Sequence, residues 1–312
     1  MSVASPTPEW MRRAERGNMF WLRVMSLLSL KLGRRLSRVV LYGIALYFVL
    51  SASAARQASR HYLERCLGRA PSWLDLYRHV LGFASTIHDR VYLLNDRYEL
   101  FDIQCCGHEA IDSLNREAGQ GCFLFGAHLG SFEVLRAAAR VARHAAPLKL
   151  SIAMYPENAR RINETLAAIN PQAQADIIAL GRVDSILAVH QRLKEGAMVG
   201  ILADRAVGPD QCLSLPFLGA PASFPTGPFR LAAMLRQPVY FMTGLYRGGN
   251  RYEVHFELLA DFSQAQPEGD REEQLREVLQ RYVAMLERHC RSAPYNWFNF
   301  YDFWGAPRLE QA

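Results

Sequence analysis

The chain has 312 residues, half of them hydrophobic and 21% charged, with a formal net charge of +6. One or two domains around a sizeable core are expected at that length. Residues 1–60 hold ten Lys/Arg against Glu9 and Glu15, a balance of +8 that leaves −2 for the other 252 residues. A nucleic-acid-binding domain carries its basic excess on the folded body, so an excess in an apolar N-terminal arm excludes that class and favours an anionic membrane surface. The six cysteines form no C-x-x-C pair, which removes zinc and redox motifs. Reduced, buried thiols are expected, and the vicinal Cys105–Cys106 reads as packing.

The arm opens with Trp10 and Arg12, Arg13 and Arg16, followed by apolar runs at 19–22 and 24–30 split by Arg23. Lys31, Arg34, Arg35 and Arg38 come next, and then residues 39–55 carry no charge. As a helix this stretch is about 25 Å long, short of a ~30 Å hydrocarbon core. Arginines on both flanks give no orientation. An interfacial or re-entrant anchor is expected, with a short single span as the alternative and a buried core helix as the bland reading. The apolar stretch starts too late for a signal peptide. After Pro71, residues 73–94 have helical apolar spacing and no proline, and His79 and His88 within them read as structural. His108-Glu109 opens H-E-x-x-D and not H-E-x-x-H, which rules out a zinc protease motif. Residues 107–118 are expected to form a helix.

Residues 121–136, GCFLFGAHLGSFEVLR, read as strand, tight loop and helix. His128 and Glu133 would lie about 140° apart on one continuous helix, at ~100° per residue. They meet only if the chain bends, with His128 in the loop and Glu133 in the first helical turn, where a carboxylate suits the helix dipole. An imidazole held by a carboxylate at a strand mouth is a general base for a hydroxyl. The bland alternative is a loop histidine that caps a helix. Apolar runs at 122–127, 148–154, 177–180, 198–203, 239–245 and 252–259 alternate with helical patterns such as 183–195. The fold class expected is therefore α/β, with a central, largely parallel sheet flanked by helices and an N-terminal membrane-associating helical arm. Asp270 is placed to cap a last helix with Leu275, Val278, Leu279, Tyr282, Val283 and Leu286 as its stripe. Residues 263–269 read as a solvated loop. The chain lacks G-x-S-x-G, a Walker lysine and G-x-G-x-x-G, which weakens hydrolase-elbow, nucleotide and dinucleotide readings.

HLGSFE after an apolar strand resembles the H-x-x-x-x-E/D block of the lysophospholipid acyltransferase superfamily. It is most similar to the late lipid A (lauroyl/myristoyl) acyltransferase branch, whose usual form has Asn and Trp where this chain has Ser131 and Phe132. The resemblance continues through LADRAVGP at 202–209, FPTGPFRLA at 224–232 and the aromatic tail after Pro294. It implies acyl transfer from an acyl carrier protein or acyl-CoA thioester to a lipid acceptor, at the cytoplasmic face of a bacterial inner membrane, with no metal or cofactor. His128 is then the base oriented by Glu133, and direct attack in a ternary complex needs no Ser or Cys nucleophile. Ser131 is assigned a loop hydrogen bond in preference to a nucleophilic role.

Arginine forks suit phosphates and oxyanions, so Arg205 leads the substrate-binding candidates, followed by Arg182 and Arg160. A structural Asp–Arg pair is the competing reading for Arg205. Asp204 matches an aspartate of the branch, Thr226 and Gly227 match a Thr-Gly pair that would line the acceptor site, and Gly130 and Ser131 are counted with the substrate-binding candidates. Arg136, Arg140 and Arg143 form one basic stripe at helical spacing, suited to an acidic carrier protein, or else an ordinary solvated face. Seven aromatics between 295 and 304 would wall an acyl pocket, sit at an interface or close the core. Residues 1–58 are taken as the arm and 59–312 as the acyltransferase domain. Two other classes stay open: a non-catalytic lipid-binding protein of the same fold, and a lipid hydrolase in which His128 activates water.

Overall fold

The computed structural model describes residues 19–107, 121–141, 149–155, 164–167, 169–170, 176–181, 183–206, 211–264 and 271–305. Seven strands form one sheet: β1 (Asp102–Cys106), β2 (Cys122–Gly126), β3 (Leu150–Met154), β4 (Asp176–Ala179), β5 (Met198–Leu202), β8 (Pro238–Tyr246) and β9 (Arg251–Asp261). Their order across the sheet is β1-β9-β8-β2-β5-β3-β4. Every neighbouring pair is parallel except the β8–β9 hairpin. The α/β architecture expected from the alternating pattern is therefore present.

β2 sits at the centre, and all five of its residues are buried, as a parallel strand covered on both faces requires. Its alternation splits the core in two. Phe123 and Phe125 face one layer with Tyr282, Leu279 and Leu286 of the last helix, α7 (Arg271–Ser292). Cys122 and Leu124 face the other with Val134, Leu135 and Ala138 of α4 (Glu133–Val141). The whole expected stripe of α7 is buried. Helices α5 (Val183–Lys194) and α6 (Gly227–Met234) complete the body. A separate ribbon pairs β6 (Cys212–Phe217) with β7 (Ala220–Pro225). Residues 108–118 of the helix expected at 107–118 and the Asp270 cap lie outside the described residues, as does most of the loop expected at 263–269.

The arm is two helices bent sharply at their junction. α1 (Met19–Ser51) is interrupted at Gly33, which has φ 79° and ψ 162°, and α2 (Ser53–Leu67) follows. Residue 58, the division expected from the sequence, falls inside α2. Among the described residues no single helix is long and apolar enough to cross a membrane; 26–51 and 53–67 together are, but they meet at 94°. α1 runs along α3 (Trp73–Leu93), which begins with a capping box between Ser72 and Asp75. Arg34 donates to both oxygens of the fully buried Asp89 at 2.7 and 2.9 Å, and Tyr252 donates to the same carboxylate at 2.8 Å. Ser37 bonds His88, Arg38 bonds the Tyr246 hydroxyl, and Leu41, Ala45 and Val49 are buried. Two of the arm's arginines are thus bonded within the protein, Arg34 to the buried Asp89 carboxylate and Arg38 to Tyr246 and the Gly249 carbonyl. The outer face of α1 carries Leu28, Leu36, Val40, Tyr47 and Leu50, each half exposed or more.

Candidate active site

The loop after β2 leaves the sheet at the carboxyl ends of its parallel strands, where open α/β sheets bind ligands. Gly130 sits at φ 77°, and a Cβ there would stand 2.0 Å from the carbonyl oxygen of Gly244 on β8. Only glycine permits this turn and this approach, so the loop is pressed against β8 with Ser131 N–H donating to that carbonyl at 2.8 Å. The aromatic tail clamps the loop from the other side. Gly130 N–H donates to Asn296 O at 2.9 Å, and Phe298 N–H donates to His128 O at 2.8 Å.

This double grip presents His128 with its ring about a third exposed, 36%. Its Nδ1 lies 2.9 Å from Oδ1 of Asp204, and its backbone N–H donates to Oδ2 at 3.1 Å. Asp204 follows β5, the parallel neighbour of β2, so two adjacent strand ends deliver the pair. The carboxylate is fully buried, and the Trp297 indole N–H donates to Oδ2 at 3.1 Å. Burial alone would raise the Asp204 carboxyl; His128, Arg205 and the backbone N–H outweigh it and hold it well below the usual carboxylate range. Burial and the Arg205 guanidinium push His128 down, against the opposing pull of Asp204. The net direction is below the ordinary histidine value, and the exposed edge of the ring tempers it. A neutral ring with Nδ1–H on a carboxylate leaves the Nε2 lone pair free to take a proton.

The expected contact between His128 and Glu133 is not the one formed. Glu133 opens α4, as the bend required, but its carboxylate lies 2.6 Å from Arg90 Nε of α3 and accepts from the Ser131 hydroxyl at 3.2 Å. The guanidinium draws Glu133 toward α3, while two donors of His128 turn that residue toward β5. Asp204, expected among substrate-binding groups, is instead enclosed and turned onto His128. Ser131 is buried, and its hydroxyl is used within the loop.

Arg205 donates from Nη2 to Phe298 O at 3.0 Å and stacks on Tyr301 at 5.0 Å. Its Nε is 3.9 Å from Asp204, too long for a hydrogen bond, and is a buried donor with no hydrogen-bond partner. Thr226 precedes α6 and donates to Gln211 O at 3.1 Å, at the base of the β6–β7 ribbon, with Gly227 opening the helix. Arg143, Arg160 and Arg182 lie outside the described residues, as do the side chains of Arg136 and Arg140.

Trp297 was not singled out from the sequence, where it is one aromatic of seven. The Asp204–His128 partnership was missed too, because 76 residues separate the two. The signal for it was positional, since each directly follows a strand of the parallel set.

No curated protein matches the chain. Among solved structures it is similar to the 1-acyl-sn-glycerophosphate (LPA) acyltransferase PlsC from Thermotoga maritima. That likeness has 14% identity and a TM-score of 0.35, and covers 82% of this chain and 98% of that one. The family described as bacterial lipid A biosynthesis acyltransferase matches residues 8–305, nearly the whole sequence, and the chain belongs to that family.

Proposed function

We propose that the chain moves an acyl group from an acyl carrier protein or coenzyme A thioester to a hydroxyl of a lipid or glycolipid. His128 is the general base, and Asp204, not Glu133, orients it. The observation that carries this reading is the partly exposed imidazole whose Nδ1 faces a buried carboxylate 2.9 Å away. The acceptor hydroxyl gives its proton to Nε2 as its oxygen bonds to the thioester carbonyl carbon. Collapse of the tetrahedral adduct breaks the C–S bond and returns the proton to the departing thiolate. The Arg205 guanidinium, held by the Phe298 carbonyl and the Tyr301 ring, supplies positive charge beside the imidazole for the developing oxyanion. Membrane association rests on the exposed apolar face of α1, which lies along α3 and so suits one leaflet of a bilayer better than a span. The cytoplasmic face of the bacterial inner membrane, where acyl thioesters are available, is the location this implies.

The test is transfer of a radiolabelled acyl group from thioester to a glycolipid acceptor by the full chain in detergent. His128→Ala is expected to lose about 10²–10⁴-fold in kcat with its fold intact. Near-normal transfer by that variant would overturn the general-base assignment.

A further inference from the structure

We infer that Trp297 is a positioning residue for the transfer reaction, holding Asp204 in the orientation that keeps His128 ready; this rests on the general-base reading above. The Asp204 carboxylate receives three hydrogen bonds. One comes from the His128 ring, one from the His128 backbone, and one from the Trp297 indole. The two on Oδ2 come from different directions of the chain, a loop and a tail, and together stop the carboxylate from turning about its own axis. Oδ1 is then left facing Nδ1 of the ring.

The indole is itself held on every side. Trp297 is fully buried, edge-on to Tyr62, Phe217 and Phe303 with ring centroids 4.8–5.3 Å apart. Its carbonyl lies 2.8 Å from His79 Nε2, and His79 Nδ1 lies 2.7 Å from the Ser59 hydroxyl. A carbonyl only accepts, so Nε2 of His79 carries the hydrogen and Nδ1 accepts from Ser59. Burial keeps His79 neutral by lowering it to about 4. The line Ser59–His79–Trp297–Asp204–His128 therefore runs as fixed hydrogen bonds from α2, through α3 and the tail, to Nδ1 of the imidazole whose Nε2 reacts. An indole placed merely to close a core has no need of a charged acceptor; this one spends its only N–H on the carboxylate of the site.

The experiment is a double-mutant cycle on the full-length enzyme, using Trp297→Phe, Asp204→Asn and the pair. Trp297→Phe is expected to lower kcat about tenfold, the scale of one hydrogen bond to a charged acceptor, with KM for either substrate within about twofold. Loss of the indole donor leaves Asp204 more negative toward the ring, so the acid limb of kcat against pH should move upward. In the Asp204→Asn background, Trp297→Phe should cost nothing further.

Losses that multiply in full, or an acid limb that stays put or moves down, would overturn the inference. Should Trp297→Phe lose its fold, replacing Trp297 with benzothienylalanine removes the N–H and keeps the bicyclic shape, and the same outcomes decide. An inactive His128→Ala alongside uncoupled Trp297 would refute this inference and leave the general-base reading standing.

Discussion

Asp204→Asn separates the carboxylate seen on His128 from the one the motif suggests. An asparagine of the same shape has one accepting oxygen and one donating nitrogen. Two donors, the His128 backbone N–H and the Trp297 indole, converge on Oδ2, so the amide oxygen takes that position. The amide NH2 then faces His128 Nδ1, which must accept, and the ring proton moves to Nε2. The nitrogen that should receive the substrate proton already carries one. A loss of about 10²–10⁴-fold in kcat follows, equivalent to about 3–5 kcal/mol of barrier.

The residual activity should also shift in pH. Asp204 raises His128 and Arg205 lowers it, so removing the carboxylate moves the acid limb further below the ordinary histidine range. Stability changes in a defined window as well. The Asp204 carboxyl is depressed in the fold, so its contribution is complete above the ordinary carboxylate value and fades as pH falls through the depressed one. The assay is single-turnover transfer across pH, with urea unfolding alongside. Near-wild-type kcat in Asp204→Asn, together with a dead Glu133→Gln, would return the orienting role to Glu133 and refute the reasoning.

Glu133→Gln should cost less than about tenfold in the same assay, because it removes a partly exposed pair with Arg90 and leaves both contacts of His128 to Asp204 in place. Gly130→Ala should lower the thermal midpoint by several degrees and abolish transfer, since its Cβ meets the Gly244 carbonyl and its φ is unfavourable, a penalty of about 1–3 kcal/mol before any clash. Replacing Leu36, Val40 and Tyr47 with Ser should weaken co-sedimentation with anionic vesicles about a hundredfold, at roughly 1 kcal/mol for each half-buried side chain. Unchanged sedimentation of that triple variant would remove the apolar face of α1 from the membrane reading.

Most of the sheet was legible because its strands are continuous apolar runs. The run at 198–203 became β5 (Met198–Leu202), and the run at 239–245 became β8 (Pro238–Tyr246). β1 was not legible: DIQCC is an edge strand with no fully buried residue, so burial had left no pattern in it. The β6–β7 ribbon was hidden by three prolines and by a turn at Leu218–Gly219 in place of the usual Asn-Gly, with Leu218 at φ 49°. Its N–H donates to Glu287 at 2.7 Å, an anchor from α7 that local sequence does not reveal.

At the site, the strand–loop–helix around His128 followed from spacing. The choice between two carboxylates did not. Glu133 is near in sequence, but Arg90 of α3 competes for it, and Asp204 reaches His128 only through the order of β2 and β5 in the sheet. The charge asymmetry of the arm is plain in the sequence, but the pairing of Arg34 with Asp89, 55 residues away, is not.

The clamp by residues 296–299 sets an order of events during synthesis. His128, Asp204 and the arm are all made well before the tail, with about 170 residues separating His128 from Trp297. At cellular elongation rates that interval is on the order of ten seconds or more. Throughout it, α1 and α3 are complete and Arg34 is free to meet Asp89, yet the loop lacks Phe298 on its carbonyl and Asp204 lacks its indole. The nascent protein therefore holds its arm against α3 while the loop of His128 and the Asp204 carboxylate are still unclamped. The arrangement around His128 is completed as a late closure, once the tail is made.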